Sequence, residues 1–289
     1  MDKVYDIWFS KLEISNRIKL ELLEKFQTKE IFEMKRQNFR FLLGDKYEQT
    51  IEKILNIEDR VNLEKYSKYL EKKQIMMLNF KDNLYPEKLS NICDKPAYIF
   101  IRGNISTLYE DNVAIVGSRN ATENRKQFTR RLAKEIADRN VNVVSGLALG
   151  IDKYAHLGAL DSQIGKTIAV LGTGLSDTDI YPLQNKKIFE RILENGGTIV
   201  SEYMIGTKPL KYHFPLRNRI ISGLSEKIVV VEATEQSGSL ITANYGLEQG
   251  KDIYAVPGRI DDFNSKGTNK LIKDGAYLLE GIEDLFINY

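Results

Sequence analysis

The chain of 289 residues has a single cysteine, Cys93, and only two histidines, His156 and His213. A lone thiol excludes an internal disulfide, and so few soft ligands leave no basis for a Cys/His metal centre, which fits a reducing cytosol. Nowhere do about 18 uncharged apolar residues run together, so no membrane span is expected. The opening MDKVYDIWFSKLEISN likewise lacks the apolar stretch of a signal peptide. The P-loop pattern GxxxxGK[ST] is missing. So is GxGxxG, since Gly117 is followed by Ser118, Arg119 and Asn120, and Gly172 and Gly174 lack a third glycine at the dinucleotide spacing. A nicotinamide or flavin cofactor therefore finds no support. Gly-x-Ser-x-Gly is absent around Ser237 and Ser239. A large excess of one charge is lacking too: 28% of residues are charged, yet the net charge is +2, so any site for a polyanion must be a local patch.

What is present suffices for one large domain plus a smaller one, with 42% hydrophobic residues to build the cores. Residues 1–70 carry apolar positions at helical spacing, as in Ile18, Leu22, Leu23 and Phe26, then Ile51, Ile54 and Leu55. From Tyr5 to Leu70 there is no proline and Gly44 is the sole glycine, which predicts four or five amphipathic helices with Trp8 and Phe9 in their core. Residues 71–110 read as a connector with short strands, Ile75–Leu78 and Ala97–Ile101, among turn residues such as Pro86, Pro96 and Gly103. Cys93 reads as a structural or surface thiol. Residues 111–289 alternate apolar runs with helical patterns, predicting an α/β, doubly wound and mostly parallel sheet. The expected strands are Val113–Val116, Val141–Val144, Thr167–Leu171, Thr198–Val200, Ile228–Val231, Ile253–Val256 and Tyr277–Leu279. The expected helices are Asn124–Arg139, Ile151–Ser162, Asn185–Glu194, Pro215–Ser222, Leu240–Gln249, Thr268–Lys273 and Ile282–Ile287.

The most informative stretch is Lys208–Gly223, KPLKYHFPLRNRIISG. It places Lys208, Lys211, Arg217 and Arg219 in a segment without an acid between Glu202 and Glu226. Tyr212 and Phe214 lie among these charges, an arrangement suited to a base stacked beside its phosphate, worth on the order of 1–3 kcal/mol per base; a core position for Phe214 and a solvated helix face for the charges is the other reading. In a parallel sheet, ligands bind at the carboxyl ends of strands, where the next helix offers unpaired N–H groups. Three such ends suit an anion: Gly117, Ser118 and Arg119; Ser145 to Gly150, SGLALG; and Ser237 to Ser239, SGS. Arg119, directly after a buried strand, must project from the carboxyl edge and can fork onto a phosphate. Asp152 reads as a carboxylate on a helix dipole. His156 is expected to be structural, and His213 to lie near a ligand without an identified partner for base catalysis. Glu202 and Glu232, each just past a strand, are the carboxylates placed for hydrolysis.

Together these blocks resemble the DNA-processing protein A family, called DprA or Smf. The resemblance rests on VAIVGSR (113–119), SGLALGID (145–152), YPLQN (181–185), SEY (201–203), FPLRNRIISGLS (214–225), EAT with SGSLITA (232–243) and VPG (256–258), and extends from about Asn79 to Phe286. It implies an extended Rossmann-like fold preceded by a small helical, SAM-like domain. It further implies binding of single-stranded DNA, homodimerisation and loading of RecA onto that DNA in natural transformation, in the cytoplasm and without catalysis. Carried across by motif, Arg119 and Lys211 would bind phosphates and Phe214 would stack a base. Gly117, Ser118, Ser145, Gly146, Gly238 and Ser239 would make backbone or hydroxyl contacts, with Arg217, Asn218 and Arg219 holding the loop or touching DNA. Two departures follow: LEISN (12–16) lacks the glycine-rich hairpin of the family's N-terminal domain, and the sequence has no counterpart of the C-terminal winged-helix domain that many members carry. A rival reading is a nucleotide-cleaving enzyme of a related Rossmann-like fold, with Glu202 or Glu232 near the ribose; the PGGxGT-type loop of such enzymes is missing.

Overall fold

The computed structural model describes residues 3–56 and 60–286. Six helices come first, α1 Lys3–Lys11, α2 Asn16–Lys25, α3 Thr28–Glu33, α4 Arg36–Leu43, α5 Glu48–Leu55 and α6 Arg60–Lys72. Two strands, β1 Ile75–Asn79 and β2 Tyr98–Gly103, flank the short α7 Glu87–Ser90. The α/β part follows as β3 Asn112–Val116, α8 Glu123–Asp138, β4 Asn142–Ser145, α9 Ile151–Ala159, β5 Thr167–Leu171, α10 Lys186–Glu194, β6 Thr198–Ser201, α11 His213–Gly223, β7 Lys227–Val230, α12 Gly238–Glu248, β8 Asp252–Ala255, α13 Lys266–Lys273 and β9 Tyr277–Leu278. Expected element ends shift by a few residues, and caps explain two of the shifts. Pro215 falls inside the first turn of α11, where its missing N–H costs nothing. Ser237 caps α12, its side chain accepting from the Ser239 N–H, so that helix starts ahead of Leu240. Of the expected last helix, a 3-10 turn forms over Ile282–Leu285, and Ile287 lies outside the described residues.

All nine strands form one sheet in the order β1-β2-β6-β5-β4-β3-β7-β8-β9. The pairs β1–β2 and β2–β6 are antiparallel; every other pair is parallel. The connector expected at 71–110 thus supplies two strands to the sheet itself. Alternating side chains build two faces. Val113 and Ile115 join Leu132 and Ile136 of α8 and Ala155 of α9, while Ala114 and Val116 join Ile220 and Ile221 of α11 and Ala243 of α12. The N-terminal helices do not keep a core to themselves. Ile7, Trp8, Phe9 and Phe39 share one cluster with Phe100, Leu171, Phe189 and Ile192, and the Tyr98 hydroxyl donates to Asp6 at 3.0 Å. A boundary near residue 70 therefore divides the sequence pattern but not the packing, and Trp8 is a packing residue, as expected. Strand order reverses between β3 and β7, which opens a crevice above their carboxyl ends.

Candidate nucleic-acid interface

A cleft of about 370 Å³ lies in that crevice. Gly117, Ser118, Arg119 and Asn120 line it after β3, and Ser237, Gly238, Ser239, Ile241 and Thr242 line it from the start of α12. Phe214, Pro215, Arg217, Asn218 and Ile221 of α11 form the third wall, with Ala148 and Asp152 from the turn into α9. Four segments far apart in sequence thus meet because parallel strands put their helix starts on one edge.

Arg119 is exposed, and its guanidinium carbon lies 5.6 Å from the centroid of the half-buried Phe214 ring. Among the described residues no carboxylate lies within ion-pair distance of it. A guanidinium over an aromatic face keeps its donor fork free for an anion. Lys208 and Lys211 are exposed in the segment leading into α11, outside the cleft lining. At Gly238 an added Cβ would meet nothing within 4 Å, so the start of α12 is open to close approach. The Ser118 and Ser239 hydroxyls face the cleft with short internal bonds, Ser118 Oγ accepting from the Asn120 N–H at 3.1 Å and Ser239 Oγ paired with Ser237 Oγ at 2.8 Å. Asn218 bridges α11 to α12 by donating to the Gly238 carbonyl at 3.3 Å.

Five of the candidate residues, Arg219, Arg217, Gly146, Ser145 and Gly117, make close internal contacts, and Gly117 and Arg217 among them also line the cleft. Arg219 is 2% exposed; its guanidinium forks onto Glu202 at 3.0 and 2.7 Å and reaches Asp94 at 3.0 Å. Burial opposes its charge, but the Glu202 carboxylate outweighs that and raises its pKa. Arg217 is 3% exposed and closes the cleft from behind, donating to the carbonyls of Gly146, at 2.7 Å, and Val170. Burial lowers it to about 10, which still leaves it charged at neutral pH. Gly146 lacks a side chain because Arg217 fills the space: an added Cβ would lie 2.5 Å from its Nη2. Ser145 is fully buried and donates to the Ile115 carbonyl at 2.7 Å. Gly117 is likewise filled from within, since a Cβ there would sit 2.6 Å from Ile151.

The polar groups left over are also accounted for. Asp152 sits in the first turn of α9, as expected, and also accepts from the Gly146 and Ala148 N–H groups at 3.1 and 3.4 Å, which ties the β4–α9 turn. Burial raises its pKa, with Arg217 opposing. His213 is buried, stacks on Tyr203 with centroids 4.0 Å apart and bonds the Gly172 carbonyl, away from the cleft. Glu202 is held by Arg219, and Glu232 accepts from the N–H and hydroxyl of Thr122 at the start of α8. Neither lines the cleft. Sequence reasoning missed Asn120, Pro215, Ile221, Ile241 and Thr242 as lining residues. Helical spacing from Ser237 and Gly238 could have found Ile241 and Thr242. Among the described residues no cluster of potential metal ligands occurs, and no helix is long and apolar enough to cross a membrane.

Comparison with known proteins agrees with this fold. The family described as DNA recombination-mediator protein A matches residues 76–289. The chain is 43% identical to the DNA processing protein DprA of Streptococcus pneumoniae over 208 residues, 72% of each protein. It is 40% identical to Protein Smf of Escherichia coli over 229 residues, 79% of this chain and 60% of that protein, so it spans under two thirds of the latter's length. Among solved structures, DNA processing protein A from S. pneumoniae superposes with a TM-score of 0.84 at 35% identity, covering 98% of this chain and 96% of that one. The same protein from Helicobacter pylori, described for its unique single-stranded DNA binding mode, gives 0.66 at 33% identity over 73% of this chain and 94% of that one.

Proposed function

The chain belongs to the DNA recombination-mediator protein A family, and from that premise we propose that it binds single-stranded DNA in the β3–β7 cleft and loads RecA onto it in natural transformation. The observation that carries the reading is the pairing of Arg119 with Phe214: a cation and a ring, side by side at a helix-start-lined edge, suit a phosphate and its neighbouring base. Lys211 and Lys208 continue the positive track, and Ser118, Asn218, Gly238 and Ser239 supply polar contacts. The single-stranded DNA binding mode described for the H. pylori protein supports this use of the fold. Duplex is refused because its bases are not free to stack. The protein acts as a cytoplasmic homodimer and is not an enzyme. Glu202 and Glu232, the carboxylates a nucleotide-cleaving relative would need, are engaged in holding α11 and α8.

The test is a titration of labelled oligothymidine and an equal-length duplex across a salt series. Single strands are expected to bind more tightly, with log affinity falling by ~0.7 per phosphate neutralised for each tenfold rise in salt. Arg119→Ala and Lys211→Ala should each flatten the slope by roughly one contact. Parent-like slopes in both variants would sink the assignment, and release of free base from a nucleotide panel would decide for the enzyme.

A further inference from the structure

The YPLQN stretch has so far no role in the site, yet it sets an exposed ring beside the half-buried Phe214. Tyr181 is 47% exposed, and its centroid lies 5.5 Å from that of Phe214 at an interplanar angle of 42°. Its base is firm. Ile180 is buried beneath it, and the buried Asn185 donates to the carbonyls of Leu147 and Ala148 at 2.8 and 3.0 Å, pinning the stretch to the turn that lines the cleft through Ala148. Tyr181 itself stands outside the cleft lining. The two rings already touch, so no base fits between them, and the free surface of Tyr181 continues the platform that Phe214 begins. An amphipathic ring with two side-chain torsions tolerates water when free and loses little on stacking.

We propose that Tyr181 is a second base-stacking residue, holding the nucleobase next to the one on Phe214, so that the site grips two consecutive nucleotides. This rests on the single-strand reading above. The full chain carrying Tyr181→Ala, Tyr181→Phe, Tyr181→Trp or Phe214→Ala is titrated with oligothymidine and with an abasic strand of equal length that keeps the phosphates. Tyr181→Ala should weaken oligothymidine on the order of fivefold to tenfold, Tyr181→Phe less than about twofold, and Tyr181→Ala should bind the abasic strand like the parent. Tyr181→Trp should report the contact directly, its indole emission quenched by oligothymidine and not by the abasic strand, against the buried Trp8 as a constant background. Unquenched indole, or an alanine variant that binds oligothymidine as the parent does, overturns the proposal. An equal loss on both strands with no quenching also overturns it, because Tyr181 would then act by shaping the loop. If Phe214→Ala too is without effect on oligothymidine, the single-strand reading itself fails, whereas a loss there with none at Tyr181 refutes only the second stacking position.

Discussion

His156 is fully buried in α9 with both ring nitrogens in use: Nδ1 is 2.7 Å from the Thr167 hydroxyl, and Nε2 lies 3.3 Å from the Leu147 amide. Thr167 donates its own proton to the Val143 carbonyl, so Nδ1 carries the hydrogen and Nε2 accepts from Leu147. That acceptor steadies Leu147, whose φ of 55° is costly for a branched side chain, in the turn that forms the floor of the cleft. Burial lowers the imidazole pKa from 6.5 to about 3. The unfolded chain therefore binds a proton that the folded chain refuses, so the stability present above about pH 6.5 is lost as pH falls towards 3, at up to about 1.4 kcal/mol per pH unit. Urea denaturation of His156→Gln beside the parent should show a shallower decline over that window; parallel pH profiles would contradict the assignment. At this scale the sequence was partly legible. Arg119 could be read because a cation directly after an all-apolar strand has nowhere to go but out. Arg219 could not, since its partners Glu202 and Asp94 come from the residue after β6 and the loop before β2, and only folding brings them to it.

Helix α11 is held at its start and at its middle. Tyr203 stacks on His213 at its start, and the Arg219 fork fixes its middle to Glu202, a carboxylate that also lies close enough to Lys19 of α2 to counter the burial that lowers that ammonium to about 8. Since Phe214 and Arg217 ride on this helix, the ion pair sets the position of one cleft wall. Arg219→Ala leaves the partly buried Glu202 carboxylate without its main partner and should cost about 1–3 kcal/mol, read as a lower urea midpoint. Replacing Arg219 and Glu202 together by leucine should cost less than the single change. If the double variant is the less stable of the two, the interaction is not the ion pair described. Elements as such were largely legible here, because period-2 and period-3.6 patterns mark strands and helices locally. Their ends were not, because caps such as Ser237 and the tolerance of Pro215 in a first turn decide them.

The sheet ends in two edges of different character. At one, β1 packs against α6; at the other, β9 exposes Tyr277 and Leu278, with Phe263 exposed in the turn before α13. An apolar edge strand invites pairing, and the proposed homodimer would use it. Leu278→Asp and Phe263→Asp should each elute from a sizing column at half the parent's mass; an unchanged dimer in both variants would move the interface elsewhere. The topology of 111–289 was visible in the alternation of elements, but nothing local in 71–110 announced that its strands would extend the same sheet, since antiparallel addition to an edge is decided by distant partners. The cleft, finally, sits above the seam where strand order turns back on itself, walled by loops from both sides of that seam. Any occupant thus laces the two wings of the sheet together, and the free energy of holding it is added to that of staying folded. The protein is consequently at its least durable whenever it is idle.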